Sequence, residues 1–501
     1  MRKPENRNSL ASGWLAGFLA LAALGIALSV TAENSTALRE RLAELKVGPM
    51  ETPPKFTEEK LKLGQALFFD PVLGGNQDVA CATCHHPLTA TGDGRSRAVG
   101  TQAYVDKGRR MPVGFSLVDV EGQDSVLTGF NMSGAAHPFT PRNSPDIFNR
   151  GDSEWRTMFW DSRAHKREDG TFAVNQLRLS KSPGLYQAVM PAFVENVLAA
   201  QAMMPVLSND EMRGTKGETS VTGAHNEVGT IPGQNEEQIW ATLMKRLLEI
   251  DGYRKLFREA YPDIPLEKLH FGHAANAIAA FEIDAFTFLD SPWDRYLAGD
   301  DSALNPRQLQ GAELFYGKAK CFECHSGRLM TDQEPHNIGV IPIGPGPDHN
   351  EDADYGIAHR SNAGLDRKYA FRTPPLRNVE LTGPYMHNGA YRTLEAAVRQ
   401  GLDPVGQLRS YDKTQLEPEF RGAVHDEEEI LTDVLRTLDE KVKEPLALDD
   451  DEVGALVEFL KALTSPSARD LRSTIPESVP SGLKMVAPIP DEAVAELTKQ
   501  G

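Results

Sequence analysis

A mostly α-helical chain, built as two domains related by duplication with long loops between the helices, is the fold this sequence predicts. Three observations predict it. A helix-like segment occurs twice, as Gly64-Gln65-Ala66-Leu67-Phe68-Phe69 and as Gly311-Ala312-Glu313-Leu314-Phe315-Tyr316. Each copy runs on to the same short signature, Cys81-Ala82-Thr83-Cys84-His85 and Cys321-Phe322-Glu323-Cys324-His325. Strand-like alternation is scarce, and Gly/Pro/Asp/Ser-rich stretches over about 100–153, 208–236 and 340–370 separate the helical segments.

The elements follow from local chemistry. Thr57 caps the first repeated helix, with Glu58 and Glu59 in the turn where N–H groups are exposed. Asn305 caps the second, with Pro306 at its first position. Gly64 and Gly311 hold the same place in the two copies, which predicts close approach there by something flat, the edge of a prosthetic group. Ala274 to Leu289 reads as a helix with Ile278, Phe281 and Phe288 as core candidates. Ser291-Pro292 ends or redirects it, and the polar Gly299-Asp300-Asp301-Ser302 marks a domain boundary. Asp450 to Leu463 is amphipathic on Val453, Leu456, Val457 and Leu460, and Pro466 stops it. The division expected is 50–298, 299–468 and an extended tail over 469–501.

At 501 residues the chain exceeds one ordinary domain. A net charge of -18 argues against a nucleic-acid partner and favours a small basic one, such as a soluble electron carrier. Arg2, Lys3 and Arg7 precede an apolar run from Trp14 to Val30, and Val30-Thr31-Ala32 is an acceptable cleavage site. Residues 1–32 therefore read as a signal peptide, or as an N-terminal anchor if retained. Either puts the body of the protein in the periplasm.

Four cysteines in an exported chain ordinarily suggest disulfides, and paired Cys-x-x-Cys also suits zinc. Neither explains a histidine directly after both pairs. Cys-x-x-Cys-His is the attachment signature of c-type haem: two thiols add to the two vinyl groups, and the adjacent histidine ligates the iron. Cys81, Cys84 and His85 thus hold one covalent haem c, and Cys321, Cys324 and His325 a second. Two haems alone make an electron carrier. An enzyme acting on peroxide also needs one open iron and a nearby acid/base.

Further landmarks carry a resemblance. Leu63-Gly64-Gln65-Ala66-Leu67-Phe68-Phe69-Asp70-Pro71, Arg142-Asn143-Ser144-Pro145, Phe159-Trp160-Asp161-Ser162-Arg163-Ala164, Leu376-Arg377-Asn378-Val379, Pro384-Tyr385-Met386-His387-Asn388-Gly389 and Thr393-Leu394-Glu395 occur in this order. Over about residues 55–465 the chain resembles the bacterial di-haem cytochrome c peroxidases and their MauG-like relatives. The resemblance implies two cytochrome c-like domains, an N-terminal peroxidatic one and a C-terminal electron-transfer one. It implies that Glu211 shuttles a proton over the N-terminal haem, Gln201 positions peroxide or water, Pro205 walls the site and Trp160 relays electrons between the haems. It implies Ca²⁺ between the domains on Asn143, Thr382 and Pro384, whose neutral oxygens suit that ion. The activity implied is reduction of hydrogen peroxide to water, with a cytochrome c or copper protein as electron donor and a homodimer as an allowed assembly. The alternatives are a MauG-like oxidase that works through high-valent iron on a protein or organic substrate, and a di-haem electron-transfer cytochrome.

Two positions depart from the resembled pattern. The family's second histidine, sixteen residues after the proximal one, is Thr101 here, a poor ligand, which predicts an open N-terminal haem without reductive activation. The family's sixth ligand to the C-terminal haem falls on Gly401, leaving His336, His425 or a water as substitutes. A missing thioether ligand lowers that haem's potential.

Overall fold

The computed structural model describes residues 36–487, apart from 107–108, 113–115, 119–125, 129–138, 176–186, 345, 348–352 and 361–362. The leader expected over 1–32 and the chain beyond 487 lie outside the described residues. Among the described residues, no helix is long and apolar enough to cross a membrane.

Each half is organised by one pair of crossing helices. Glu58–Phe69, capped by Thr57, crosses Phe271–Phe286, and Pro306–Phe315, capped by Asn305, crosses Asp450–Lys461. The duplicated glycines lie at the two crossings. A Cβ on Gly64 would sit 1.9 Å from the Ala277 carbonyl oxygen and 2.8 Å from Phe281 Cβ. On Gly311 it would sit 1.9 Å from the Ala455 carbonyl oxygen and 2.7 Å from Phe459 Cβ. The close approach read from the sequence is real, but its agent is a helix backbone and not the edge of a prosthetic group.

A second duplicated device closes the far end of each crossing helix. Asn149 and Asn378 both adopt left-handed backbone conformations, at φ 57° and 63°. The Asn149 N–H donates to Phe286 O at 2.9 Å and its Oδ1 accepts from Phe288 N at 3.1 Å. The Asn378 N–H donates to Leu463 O at 3.0 Å and its Oδ1 accepts from Ser465 N at 2.9 Å. Asparagine tolerates this backbone region and supplies the acceptor that an ended helix needs nearby.

Among the described residues, three apolar cores result. The first surrounds Leu63, Phe68, Ile278 and Phe286. The second surrounds Trp293, Tyr296, Phe315 and Phe459, and takes in Leu38 and Leu42 from helical residues 36–44. The third, unforeseen from the sequence, joins Ile341, Tyr369, Leu408 and Val434 to Val99 and Phe139. The long 340–370 stretch is therefore partly a core-building segment. The Phe271–Phe286 helix ends three residues before the limit read from the sequence, with Phe288 continuing as extended chain against Phe148.

Short strands, of two to four residues, escaped detection by alternation. The largest sheet is antiparallel, in the order Thr157–Met158, Ala164–Lys166, Phe172–Asn175 and Gln187–Val189. The tail after Arg469 is tied down on the first half. Ser481 Oγ donates to Asp70 Oδ1 at 2.6 Å, Gln65 Nε2 to Thr474 O at 2.9 Å, and Thr83 Oγ1 to Val486 O at 3.2 Å.

Candidate active site and haem-binding residues

The two Cys-x-x-Cys-His segments are built alike. Cys81–Cys84 is one helical turn, and Cys321–Glu323 begins the equivalent turn. None of the four cysteines forms a disulfide. His85 Nδ1 donates to Thr91 O and His325 Nδ1 to Met330 O, each at 3.1 Å. A carbonyl on Nδ1 fixes the tautomer and leaves Nε2 as the ligand nitrogen. Burial lowers both imidazole pKa values, and a neutral ring is the form that binds iron.

Buried donors without protein partners also suit an anionic, propionate-bearing group. Arg150 Nη1 is one, near enough to His85 to depress its pKa. Tyr316 OH and Arg377 Nη2 are others, in the half that carries Cys321. An unpaired buried donor costs about 1–3 kcal/mol, so a cofactor that accepts from these atoms fits them.

Gln201, Pro205 and Glu211 lie on consecutive turns of one segment. Gln201 is in the Val197–Ala202 helix, Pro205 opens a tight turn to Leu207, and Glu211 sits in the wide turn Asn209–Arg213. Ser208 joins them: its N–H donates to Pro205 O at 3.1 Å and its Oγ accepts from Glu211 N at 3.3 Å. Gly100 and Thr101 clamp the turn from outside. A Cβ on Gly100 would lie 1.9 Å from Asp210 O, and the Thr101 N–H donates to Glu211 O at 3.0 Å. Burial raises the Glu211 pKa, with Asp210 reinforcing the rise and Arg163 and Arg142 opposing it.

Thr101 is a brace. Its hydroxyl donates to Asp78 Oδ1 at 2.7 Å and accepts from Asn76 Nδ2 at 2.8 Å. At the other departure, Gly401 lies in the Leu394–Leu402 helix, where an added Cβ meets no atom within 4 Å. Gln400 beside it is committed to the fold: Oε1 accepts from Tyr391 OH at 2.5 Å and Nε2 donates to the Ile338 and Gly339 carbonyls. His336 is unsuited as the substitute ligand, because carboxylates occupy both its ring nitrogens. His425 Nε2 lies 3.3 Å from Gly344 O and Nδ1 3.8 Å from Glu427.

Trp160 bridges the two proximal loops. Its Nε1 donates to Asn143 O at 2.9 Å, two residues from Pro145, whose backbone favours the charged form of His85. Its carbonyl accepts from Arg372 N at 2.7 Å, two residues from Pro374, whose backbone favours the charged form of His325. Asn143 Nδ2 donates to Arg95 O at 2.7 Å, which fixes the orientation of the amide. The Asn143 N–H donates to His387 O at 2.7 Å, bringing it to the segment that holds Pro384. The Thr382 hydroxyl is engaged with Val379 O.

The structure adds residues that the sequence reading did not assign. Arg142 forms a forked pair with Asp354, at 2.6 and 3.0 Å, and reaches Asp161 at 2.7 Å. His387 stacks on Phe371 at 3.4 Å. Arg142 and Asp161 sit inside quoted motifs, but nothing in the sequence marked Asp354 in the 340–370 stretch as their partner. Burial would raise the Asp161 pKa, yet Arg163 and Arg142 outweigh it and bring it down to about 2. Asp354 is likewise lowered, chiefly by Arg142 against burial. A depressed folded-state pKa contributes stability above the unfolded value and loses it as pH falls through the folded one. Asp354→Ala leaves a buried guanidinium partly unpaired and costs about 3–5 kcal/mol, measured by denaturant unfolding at pH 7. The deficit shrinks as pH falls from about 4 toward the depressed folded-state value, because the unfolded chain takes up its proton first and the pairing in wild type is lost only at that lower value.

The comparisons agree with this construction. A family model for di-haem cytochrome c peroxidase matches residues 58–302. Methylamine utilization protein MauG of Methylorubrum extorquens is 29% identical over 368 residues, 73% of this chain and 75% of that protein. Cytochrome c551 peroxidase of Pseudomonas aeruginosa is 28% identical over 359 residues, 72% and 74% of the two chains. The crystal structure of a MauG-like protein associated with microbial copper homeostasis shares the fold, with TM-score 0.52 at 24% identity, over 84% of this chain and 95% of that one. The chain is thus similar to the di-haem cytochrome c peroxidases and MauG proteins, which are oxidoreductases, and it shares the fold of two cytochrome c-like domains.

Proposed function

We propose that this protein reduces hydrogen peroxide to water in the periplasm, with electrons from a small carrier such as a cytochrome c or a copper protein. The observation that carries the reading is the half-buried Glu211, whose carboxyl pKa is raised by burial and which is fixed on the same segment as Gln201 and Pro205. The reaction consumes two electrons and two protons per peroxide and yields two waters. A haem c on Cys81, Cys84 and His85 supplies the redox-active iron, and one on Cys321, Cys324 and His325 supplies a second electron store.

The chain's own residues do the proton work. Glu211 takes a proton from one peroxide oxygen and delivers it to the other, so that the departing oxygen leaves as water. Gln201 orients peroxide, and Pro205 keeps that wall of the site apolar. Water exclusion raises the carboxyl's basicity toward the value that proton transfer near neutrality requires. Trp160, hydrogen-bonded to both proximal loops, lies on the electron route between the halves. Asn143, Thr382 and Pro384 hold Ca²⁺ at the junction. The apolar segment after Arg2, Lys3 and Arg7 supports export.

Stopped-flow mixing with peroxide and pre-reduced cytochrome c tests the reading. Peroxide-dependent oxidation of the carrier over many turnovers is expected. A single slow turnover without carrier oxidation favours the MauG-like alternative. Failure of the ferric protein to bind cyanide or peroxide overturns both in favour of an electron carrier.

A further inference from the structure

A charged cluster adjoins the second haem-attachment cysteine and plays no part in the chemistry above. His336, largely buried, pairs in a two-stranded ladder with Phe371. Its Nδ1 donates to Asp439 Oδ2 at 2.6 Å and its Nε2 to Asp332 Oδ2 at 2.8 Å. Cys324, Asp332 and His336 bring ligand-type atoms within 4.8 Å of one another. Lys441 Nζ donates to Glu323 O at 3.0 Å and lies 3.9 Å from both Cys324 Sγ and Asp332 Oδ2. An imidazole that donates from both nitrogens to carboxylates carries a proton on each, and is a cation. Burial opposes that charge, and the hydrogen bonds to Asp332 and Asp439 favour it.

A zinc-like reading of Cys324, Asp332 and His336 fails on the same geometry. Cys324 belongs to the attachment signature, where its sulfur becomes a thioether, and both His336 nitrogens are already in use. What remains at the sulfur is fixed charge: two cations, His336 and Lys441, against two carboxylates, Asp332 and Asp439. The backbone holds it in place, since the Asp332 N–H donates to Cys324 O at 2.8 Å and the Asp439 N–H to Asn337 O at 2.9 Å.

We propose that His336, clamped as a cation between Asp332 and Asp439 beside the Cys324 sulfur, is a positioning residue that sets the reduction potential of the C-terminal haem. The inference rests on haem attachment at Cys324 and is independent of the peroxidase reading. A nearby positive charge stabilises the reduced, less positive haem, and partial burial keeps the interaction from being fully screened. The His336 charge then counters the pull of the two carboxylates, which would otherwise add to the potential lost through the missing side chain at Gly401.

Spectroelectrochemical titration of the full haem-loaded chain tests this. His336→Gln is expected to lower the C-terminal potential, seen as a roughly three- to tenfold fall in its reduced-to-oxidised ratio at fixed ambient potential. Asp439→Asn is expected to raise it by a similar factor, because it removes a negative charge while Asp332 still holds the imidazolium. A structural role would shift both variants the same way through loosened packing. Shifts of equal sign, or none, overturn the proposal. Should His336→Gln fail to fold, Asp439→Asn and Asp332→Asn must both shift upward, and a downward or null result overturns it equally. Haem content, measured on each variant, separates a failed attachment at Cys324 from a failed electrostatic role.

Discussion

Glu211→Gln lowers peroxide turnover by roughly 10²- to 10⁴-fold and leaves the content of both haems unchanged. Glutamine keeps the shape of the side chain, so the turn built on Ser208 and clamped by Gly100 and Thr101 survives. What disappears is the group that can accept a proton and give it back. The pH profile checks the assignment separately. The working form is the carboxylate, and burial raises its pKa despite Arg163 and Arg142. Activity is therefore lost on the acid side at a pH above that of an exposed glutamate, because protonation removes the acceptor. The glutamine variant loses this acid limb along with its rate. Turnover equal to wild type would remove Glu211 from the mechanism, and an acid limb retained in the variant would assign that ionisation elsewhere.

The legible parts of this molecule were those fixed by local rules. Thr57 and Asn305 cap the helices they were expected to cap, because an N-cap needs only one side-chain oxygen beside exposed N–H groups. The paired Cys-x-x-Cys-His segments were equally plain, since their spacing is set by the cofactor. The Gly64 and Gly311 positions were read correctly as close approaches, yet the approaching body could not be named. The Ala277 and Ala455 carbonyls that fill the space lie 213 and 144 residues further along, as 277 − 64 and 455 − 311. The Asn149 and Asn378 clasps were missed although the sequence holds a faint sign of them, Pro145 and Pro374 each standing four residues upstream. Asp354 had no sign at all. Its role is defined by Arg142, and a carboxylate within a Gly/Pro/Asp-rich stretch reads as a solvated turn until the third core places it. The same holds for His336, whose two carboxylate partners come from different segments and turn a candidate iron ligand into a clamped ion.

Gly64→Ala and Gly311→Ala each cost about 3–5 kcal/mol or more, although alanine is the better helix former by about 1 kcal/mol. A methyl at either site would lie 1.9 Å from a backbone oxygen, and ordinary contact begins near 3.4 Å, so the helices must separate by 3.4 − 1.9 = 1.5 Å. A backbone oxygen cannot rotate away as a flexible side chain can. Separation also undoes the aromatic packing beside the crossing, Phe68 on Phe281 at 5.4 Å in one half and Phe315 on Phe459 at 5.3 Å in the other. Gly401→Ala provides the contrast. Its Cβ meets no protein atom within 4 Å, so the chain itself opposes the methyl nowhere and the helix preference favours alanine by about 0.4–1 kcal/mol. Thermal unfolding of the haem-loaded chain followed by circular dichroism reads all three. Because the two crossings share one geometry, the Gly64 and Gly311 variants should fall together. A tolerated methyl at one with collapse at the other would mean that the halves share a sequence pattern but not a packing solution.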